Sequence, residues 1–353
     1  IKINKKGDIC SPKGFLSGSI FSGIKSPGQD KRDIGIIYSE SDCISAGTFT
    51  QNSVVSPSVT WTKDITSNGN VRAIVANSGC ANCAVGEQGL IDAKEMASIA
   101  ANSLGIDQKE VAVASTGIIG VELPMALIRQ NVTNVALTSD GGTDFARSLM
   151  TTDSKHKERA VSFVHDGETV TVGGAAKGVG MIHPNMATML CFITTDANVD
   201  GSFLQEVLSD AVNASFNMID VDGDQSTNDT VVILANGASG TSQISDSSTG
   251  SDLLREAVGY ISTELAKELV RDGEGAQRLI EVTVEGAETL AEARVSAREI
   301  ASSLLVKAMV HGRDPNWGRL VMALGKSGIS LIEKKVDVFI NEIHIVHEGV
   351  AIP

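Results

Sequence analysis

Short β-rich apolar runs alternate along this chain with longer segments whose apolar residues recur at helical spacing. That alternation restricts the fold to layers of sheet and helix. The run 71–76 ends in Asn77-Ser78-Gly79, and 89–104 follows with helical periodicity until Gly105 stops it. The run 110–114 opens into Ser115-Thr116-Gly117, and 124–137 then begins on a proline, as helices do. Each pair reads as a strand delivering a polar loop ahead of a helix. Asp166-Gly167 lies within the β-rich stretch 159–173, a hairpin signal. Beyond it, 189–195 reads as a strand and 201–216 as an amphipathic helix, with Phe203, Leu204, Val207, Leu208, Ala211 and Val212 along one side. Further strands are expected at 230–234, 278–284, 320–324 and 336–345, and helices at 252–270 and 290–310. The Ser-, Thr- and Gly-rich stretch 238–251 reads as an exposed connection between a strand and a helix.

With 353 residues, 42% of them apolar and 20% charged, the chain can bury a large core, and at 4% aromatic content that core must be mostly aliphatic. The net charge of −14 opposes binding to a phosphate backbone, so nucleic acid is set aside as a partner. No apolar run approaches bilayer length, and residues 1–14 lack the apolar stretch of a signal peptide; the expectation is a soluble, cytoplasmic protein. Five cysteines without a secretory signal fit reduced thiols better than a disulfide framework.

Several familiar signatures begin and then fail. Gly325-Lys326-Ser327 looks like the end of a phosphate-binding loop, but the glycine required five residues earlier is Leu320. Asp220, Asp222 and Asp224 imitate the first ligands of a calcium loop, yet Gln225 holds its glycine position and Val231 its bidentate glutamate position. Cys80 and Cys83 have CxxC spacing but no second pair to complete a zinc site. The six histidines form no pair at metal-ligand spacing within an amphipathic helix, so no metal is expected. No G-x-S-x-G elbow is present either.

The densest polar punctuation runs Lys177-Gly178-Val179-Gly180-Met181-Ile182-His183-Pro184-Asn185-Met186-Ala187-Thr188-Met189-Leu190. Read from its residues, it is a tight glycine and proline loop that sets a threonine at the mouth of a buried strand. A threonine at a strand start is also what β-propensity alone produces. The segment closely resembles the cleavage site of the ornithine acetyltransferase family, also called the bifunctional glutamate N-acetyltransferase or ArgJ family. Other blocks resemble that family in its own order: Ser11-Pro12-Lys13-Gly14-Phe15, Ala46-Gly47-Thr48-Phe49-Thr50, Asn77-Ser78-Gly79, Ser115-Thr116-Gly117 and Met150-Thr151-Thr152-Asp153. They continue with Val221-Asp222-Gly223-Asp224, Ser226-Thr227-Asn228-Asp229-Thr230, Asp272-Gly273-Glu274-Gly275-Ala276 and Arg313-Asp314-Pro315-Asn316-Trp317-Gly318-Arg319.

The resemblance implies an α/β (α+β) layered sheet sandwich flanked by helices. This DmpA/ArgJ-like fold resembles the N-terminal nucleophile hydrolases, with a different strand connection. It implies self-cleavage between Ala187 and Thr188, giving an alpha chain 1–187 with the oxyanion loop in its N-terminal lobe and a beta chain 188–353 headed by the nucleophile Thr188. By resemblance Thr116 and Gly117 form the oxyanion hole. Thr152, Lys177, Thr188 and Glu274 bind substrate, with Thr151 as the alternative to Thr152. In the family a final segment beyond the position of Pro353 adds an asparagine and a threonine to the substrate site, and this sequence stops before it.

The implied reaction moves an acetyl group from N-acetylornithine to glutamate through an acetyl-threonine, within arginine synthesis. It needs no metal or organic cofactor, and acetyl-CoA is a second donor in some members. The implied assembly is α2β2. Two other readings compete: an N-terminal nucleophile amidase or peptidase that gives the acyl group to water, and a non-catalytic descendant that binds metabolites.

Overall fold

In a computed structural model that describes residues 1–28, 31–183 and 189–352, the strands fall into three sheets. The largest contains β1 (Lys2–Asn4), β4 (Ile44–Phe49), β7 (Lys157–His165), β8 (Glu168–Lys177), β9 (Leu190–Thr195) and β10 (Thr230–Ala235), in the order β1-β7-β8-β9-β10-β4. The second joins β2 (Phe15–Ile20), β3 (Ile34–Ser39), β5 (Ala73–Cys80) and β6 (Val111–Ile118) in that order. A small third sheet holds β11 (Val338–Ile340), β12 (Ile343–His347) and β13 (Val350–Ala351). The pairs β9–β10 and β5–β6 are parallel and the others antiparallel. Around them lie α1 (Pro57–Thr66), α2 (Gln88–Leu104), α3 (Met125–Asn131), α4 (Gly142–Leu149), α5 (Gly201–Ala214), α6 (Ser251–Arg271), α7 (Leu290–Ser302), α8 (Leu304–Gly312) and α9 (Trp317–Lys326).

The layering follows from the period of two along each strand. On β9 and β10, Cys191, Ile193, Val231 and Ile233 join a core with α5 and α6. The intervening Leu190, Phe192, Val232 and Leu234 face a second core shared with the four-stranded sheet and helices α1 to α4. Both faces of the large sheet are therefore covered, which is why β9 and β10 read as unbroken apolar runs. Phe145 of α4 meets Phe192 edge to face at 5.8 Å where the two sheets approach. The result is the expected sheet sandwich flanked by helices. A small third core, built on Ile300, Val306, Met309 and Ala323, holds α7, α8 and α9 together.

The middle of the chain follows its sequence pattern closely. The hairpin turns at Asp166-Gly167, α5 starts on an Asp200 cap, and Gly105 ends α2 in the left-handed region at φ 69°. Other expectations are corrected. Asn77-Ser78-Gly79 and Ser115-Thr116-Gly117 are not loops but the ends of the parallel strands β5 and β6. The helix expected at 124–137 ends as α3 at Asn131 and tightens into a 3-10 turn. Residues 278–284, all described, form no strand, and 320–324 lie inside α9. A five-residue apolar run fits strand or buried helix equally, and here Trp317 to Lys326 resolves it as helix. The helix expected at 290–310 breaks at Ser303, which ends α7 and caps α8 by accepting from the Val306 N–H. The strand expected at 336–345 folds back at Asn341, φ 54°, into the β11–β12 hairpin. The stretch 238–251 is less exposed than expected: Ser239, Thr241 and Ile244 are buried, and Ile244 bridges to Val199.

Candidate active site

Seven of the sequence blocks, far apart in the chain, meet at the ends of β5, β6, β8, β9 and β10. Parallel pairing in register sets Ser78 beside Thr116 and Gly79 beside Gly117. The two backbones are so close that a Cβ on Gly117 would lie 2.3 Å from the Gly79 carbonyl carbon, and Gly117 has φ +132°. Only glycine fits there. Asn228 ties the opposite side to this edge by donating to Ala81 O at 2.6 Å and Ser115 O at 2.8 Å. Thr50 joins them, with its N–H to Asp229 O at 3.0 Å and its hydroxyl to Ser226 O at 2.6 Å.

The residues expected in the site form two pairs. Lys177, the last residue of β8 and 3% exposed, donates from Nζ to Thr116 Oγ1 at 3.2 Å. Exposed Thr152 donates to Glu274 Oε1 at 2.6 Å. Asp153 joins the pairs, because it follows Thr152 in the chain and its Oδ1 accepts from Gly178 N at 2.9 Å, next to Lys177. The same oxygen meets Lys157 Nζ at 2.7 Å, and Lys157 reaches on to Asp272 Oδ2 at 2.7 Å, two residues before Glu274. Glu274 is fixed from the other direction by its N–H, which donates to Val179 O at 2.7 Å. Its carboxyl presses on Gly180, where a Cβ would come within 2.9 Å of the carboxyl carbon. Thr152, Ser154, Asp272 and Glu274 line an open cavity of about 480 Å³. Thr151, the alternative to Thr152, instead donates its N–H to Asp153 Oδ2 at 3.0 Å.

The expected cleavage position, Ala187 and Thr188, lies outside the described residues, together with Pro184, Asn185 and Met186. The chain is anchored on both sides of it. Asp222 accepts from Met181 N at 2.6 Å and Ile182 N at 3.0 Å, while Asp220 pairs with His183 at 2.8 Å and also with Lys307. The acidic run that failed as a calcium loop thus secures the approach to the cleavage position. On the far side, Met189 N donates to Asp229 Oδ1 at 2.9 Å, and Thr230 N returns a bond to Met189 O at 3.1 Å.

Electrostatics distinguish these groups. Burial pushes Lys177 below its ordinary lysine value, opposed by Asp153, with Lys157 pushing in the same direction as burial. Burial would raise Asp153, but Lys177, Lys157 and the Gly178 N–H outweigh it and hold the carboxyl below its usual range. Asp229 goes the other way. It is fully buried, and burial drives it well above an ordinary aspartate despite the Met189 N–H. Its Oδ2 makes no hydrogen bond among the described residues.

Asp153, Lys157, Asn228, Asp229 and Asp272 were not singled out from sequence. Four of them sit inside or beside the quoted blocks, which was the available signal; apart from the Asp153–Lys157 pair, their partners are too distant in the chain to be seen. The block from Arg313 to Arg319 lies elsewhere, at the α8–α9 junction, where Arg319 donates to Leu305 O at 2.9 Å. The cysteines are all free and buried, so Cys80 and Cys83 form no disulfide. No helix among the described residues is long and apolar enough to cross a membrane.

Residues 17–353 match the ArgJ family. The chain is 46% identical over 349 residues to the arginine biosynthesis bifunctional protein ArgJ of Dehalococcoides mccartyi, an alignment spanning 99% of this chain and 86% of that protein. It is also 46% identical over 345 residues to the protein of that name from Symbiobacterium thermophilum, spanning 97% and 86% respectively. The crystal structure of the protein of that name from Bacillus halodurans is similar over 52% of this chain and 97% of that one, at 37% identity and a TM-score of 0.50. With nearly the whole sequence matched and most of the family's blocks gathered at one set of strand ends, the chain belongs to the ArgJ family.

Proposed function

We propose that this chain is a glutamate N-acetyltransferase that takes its acetyl group from N-acetylornithine and carries it on Thr188. The observation that most supports this reading is the buried bond from Lys177 to Thr116. A hydroxyl whose oxygen already accepts from an ammonium has its own proton free to donate elsewhere. Thr116 O–H and the Gly117 N–H then suit a developing oxyanion, and losing one such donor costs about 100- to 1,000-fold in rate.

In this reading Thr188 Oγ first attacks the Ala187 carbonyl, the amide becomes an ester, and water hydrolyses it. The cut leaves chains 1–187 and 188–353, and Thr188 gains a free α-amine. That amine, with a reference pKa of about 7.7–8.0, takes the hydroxyl proton as Oγ attacks the acetyl carbonyl of N-acetylornithine. The tetrahedral intermediate collapses, the ammonium returns its proton to the leaving amine, and ornithine departs. The amine of glutamate attacks the acetyl-threonine ester, its lost proton passes to the Thr188 amine or solvent, and N-acetylglutamate leaves. Lys177 serves the substrate carboxylate, while Glu274, oriented by Thr152, serves the side-chain ammonium of ornithine. This chemistry calls on no metal or organic cofactor. Acetyl-CoA is a second donor in this proposal, as it is in some members of the family. An α2β2 assembly in the cytoplasm completes the proposal.

Denaturing intact-mass spectrometry before and after exposure to N-acetylornithine tests it, with Thr188→Ala as control. The expected result is two fragments meeting at the Ala187–Thr188 bond, an acetyl adduct on the second, and neither in the variant. A single uncut chain that takes up no acetyl group would overturn the mechanism.

A further inference from the structure

The strand β12 carries His344 and His347, three residues apart, which in a regular strand point to opposite faces of the sheet. Here they do not. The ladder pairs Ile340 with Ile343 and Phe339 with His344, then shifts so that Val338 pairs with Val346, leaving Ile345 as the extra residue of a β-bulge. The bulge restores His347 to the side of His344, and the two rings meet at a centroid separation of 5.4 Å. Asp337, just before β11, falls opposite His347. Its Oδ1 lies 3.1 Å from His347 Nδ1 and 3.5 Å from His344 Nε2.

These separations bracket the donor-to-donor edge of about 3.3 Å that follows from tetrahedral bonds near 2.0–2.1 Å to zinc. All three donor atoms lie within 4.8 Å of one another. His344 is held in place because its ring stacks on Phe339, at 4.3 Å between centroids and 13° between planes. Its Nε2 is buried and makes no hydrogen bond among the described residues, a donor or acceptor that nothing else satisfies. Two imidazoles with one carboxylate suit a borderline transition metal; calcium and magnesium prefer oxygen throughout.

We infer that Asp337, His344 and His347 form a site for Zn2+ or a similar divalent transition-metal ion. The fourth coordination position is left to water. An ion there would clip β11 to β12. Ile340 of β11 packs against the small core of α7, α8 and α9, so the clip would stiffen that unit, away from the acetyl-transfer chemistry.

Isothermal titration of the full, tag-free chain with zinc chloride at neutral pH tests the site. One saturable Zn2+ per chain is expected, with no comparable uptake of Mg2+. The double variant His344→Ala/His347→Ala should weaken binding at least about tenfold, since changes even outside the ligand set cost that much. His347→Gln gives a control for folding, because its side chain is 60% exposed; Zn2+ should raise the melting temperature of the native chain but not of this variant. Thr188→Ala should bind Zn2+ as the native chain does, which separates this site from the proposed reaction. Absence of stoichiometric binding, or binding that survives loss of both histidines, overturns the inference.

Discussion

The proposed role of Lys177 asks it to stay charged in a place that disfavours charge. Burial lowers its pKa from 10.5, so it loses its proton at a lower pH than a surface lysine. In the proposed mechanism the Thr188 amine must be unprotonated to act as base, while Lys177 must be protonated to hold a carboxylate. The plot of kcat/KM against pH should therefore rise through about 7.7–8.0 and fall again below the pH at which a free lysine titrates. Lys177→Met should lower kcat/KM for glutamate by about 10- to 100-fold, the value of a hydrogen bond to a charged group, and should erase the falling limb. Asp229 makes a second prediction at this scale. Its carboxyl fixes the N–H of Met189, the residue after Thr188, and its other oxygen makes no hydrogen bond among the described residues. Asp229→Asn should slow self-cleavage at least about tenfold, as loss of a group beside the reacting bond does, followed by intact mass over time.

Among elements, β5 and β6 show both the reach and the limit of the sequence. Their apolar starts were legible, because aliphatic runs of that length bounded by polar residues read as buried strand. Their ends were not, since Asn77-Ser78-Gly79 and Ser115-Thr116-Gly117 have turn composition. The ladder extends because each polar side chain finds a buried partner: Asn77 donates to Cys80 O at 2.9 Å, Ser78 bonds Ser148 O, and Ser115 meets Ser58 at 2.8 Å. Composition cannot announce partners as far away as Ser148 and Ser58. The proposal of Thr188 as nucleophile rests only on the resemblance of its block, since a threonine before a strand is ordinary. Gly117→Ala forces a Cβ to 2.3 Å from Gly79 and should destabilise the protein by about 2 kcal/mol or more, read from urea unfolding. Lys157, with a side chain 0% exposed, joins β7 to the end of α6 through Asp153 and Asp272. Lys157→Met removes the ammonium that Asp153 and Asp272 share and should cost about 3–5 kcal/mol. Burial opposes ionisation of Asp153 and Asp272, but their cationic partners hold both below 3.8 in the fold. Their stabilising contribution is thus complete above pH 3.8 and is lost as pH falls through the lower folded values. A variant lacking Lys157 should lose that part of its acid resistance.

For the whole molecule, all five cysteines are buried. Burial pushes the Cys10 thiol up to about 12 and the Cys43 thiol to about 11, and raises Cys191 and Cys80 as well. A disulfide reagent should find no thiol in the folded protein and five in urea. The central strand has a larger consequence. β9 begins two residues after Thr188 and is flanked by β8 on one edge and β10 on the other, with β4 closing the far side. The large sheet is therefore woven from both sides of the proposed cut, β1, β4, β7 and β8 from before it, β9 and β10 from after it. Severing one peptide bond would yield two polypeptides and still only one foldable object. The fragments should melt in a single transition, elute together until denatured, and fail to assume this structure when expressed separately.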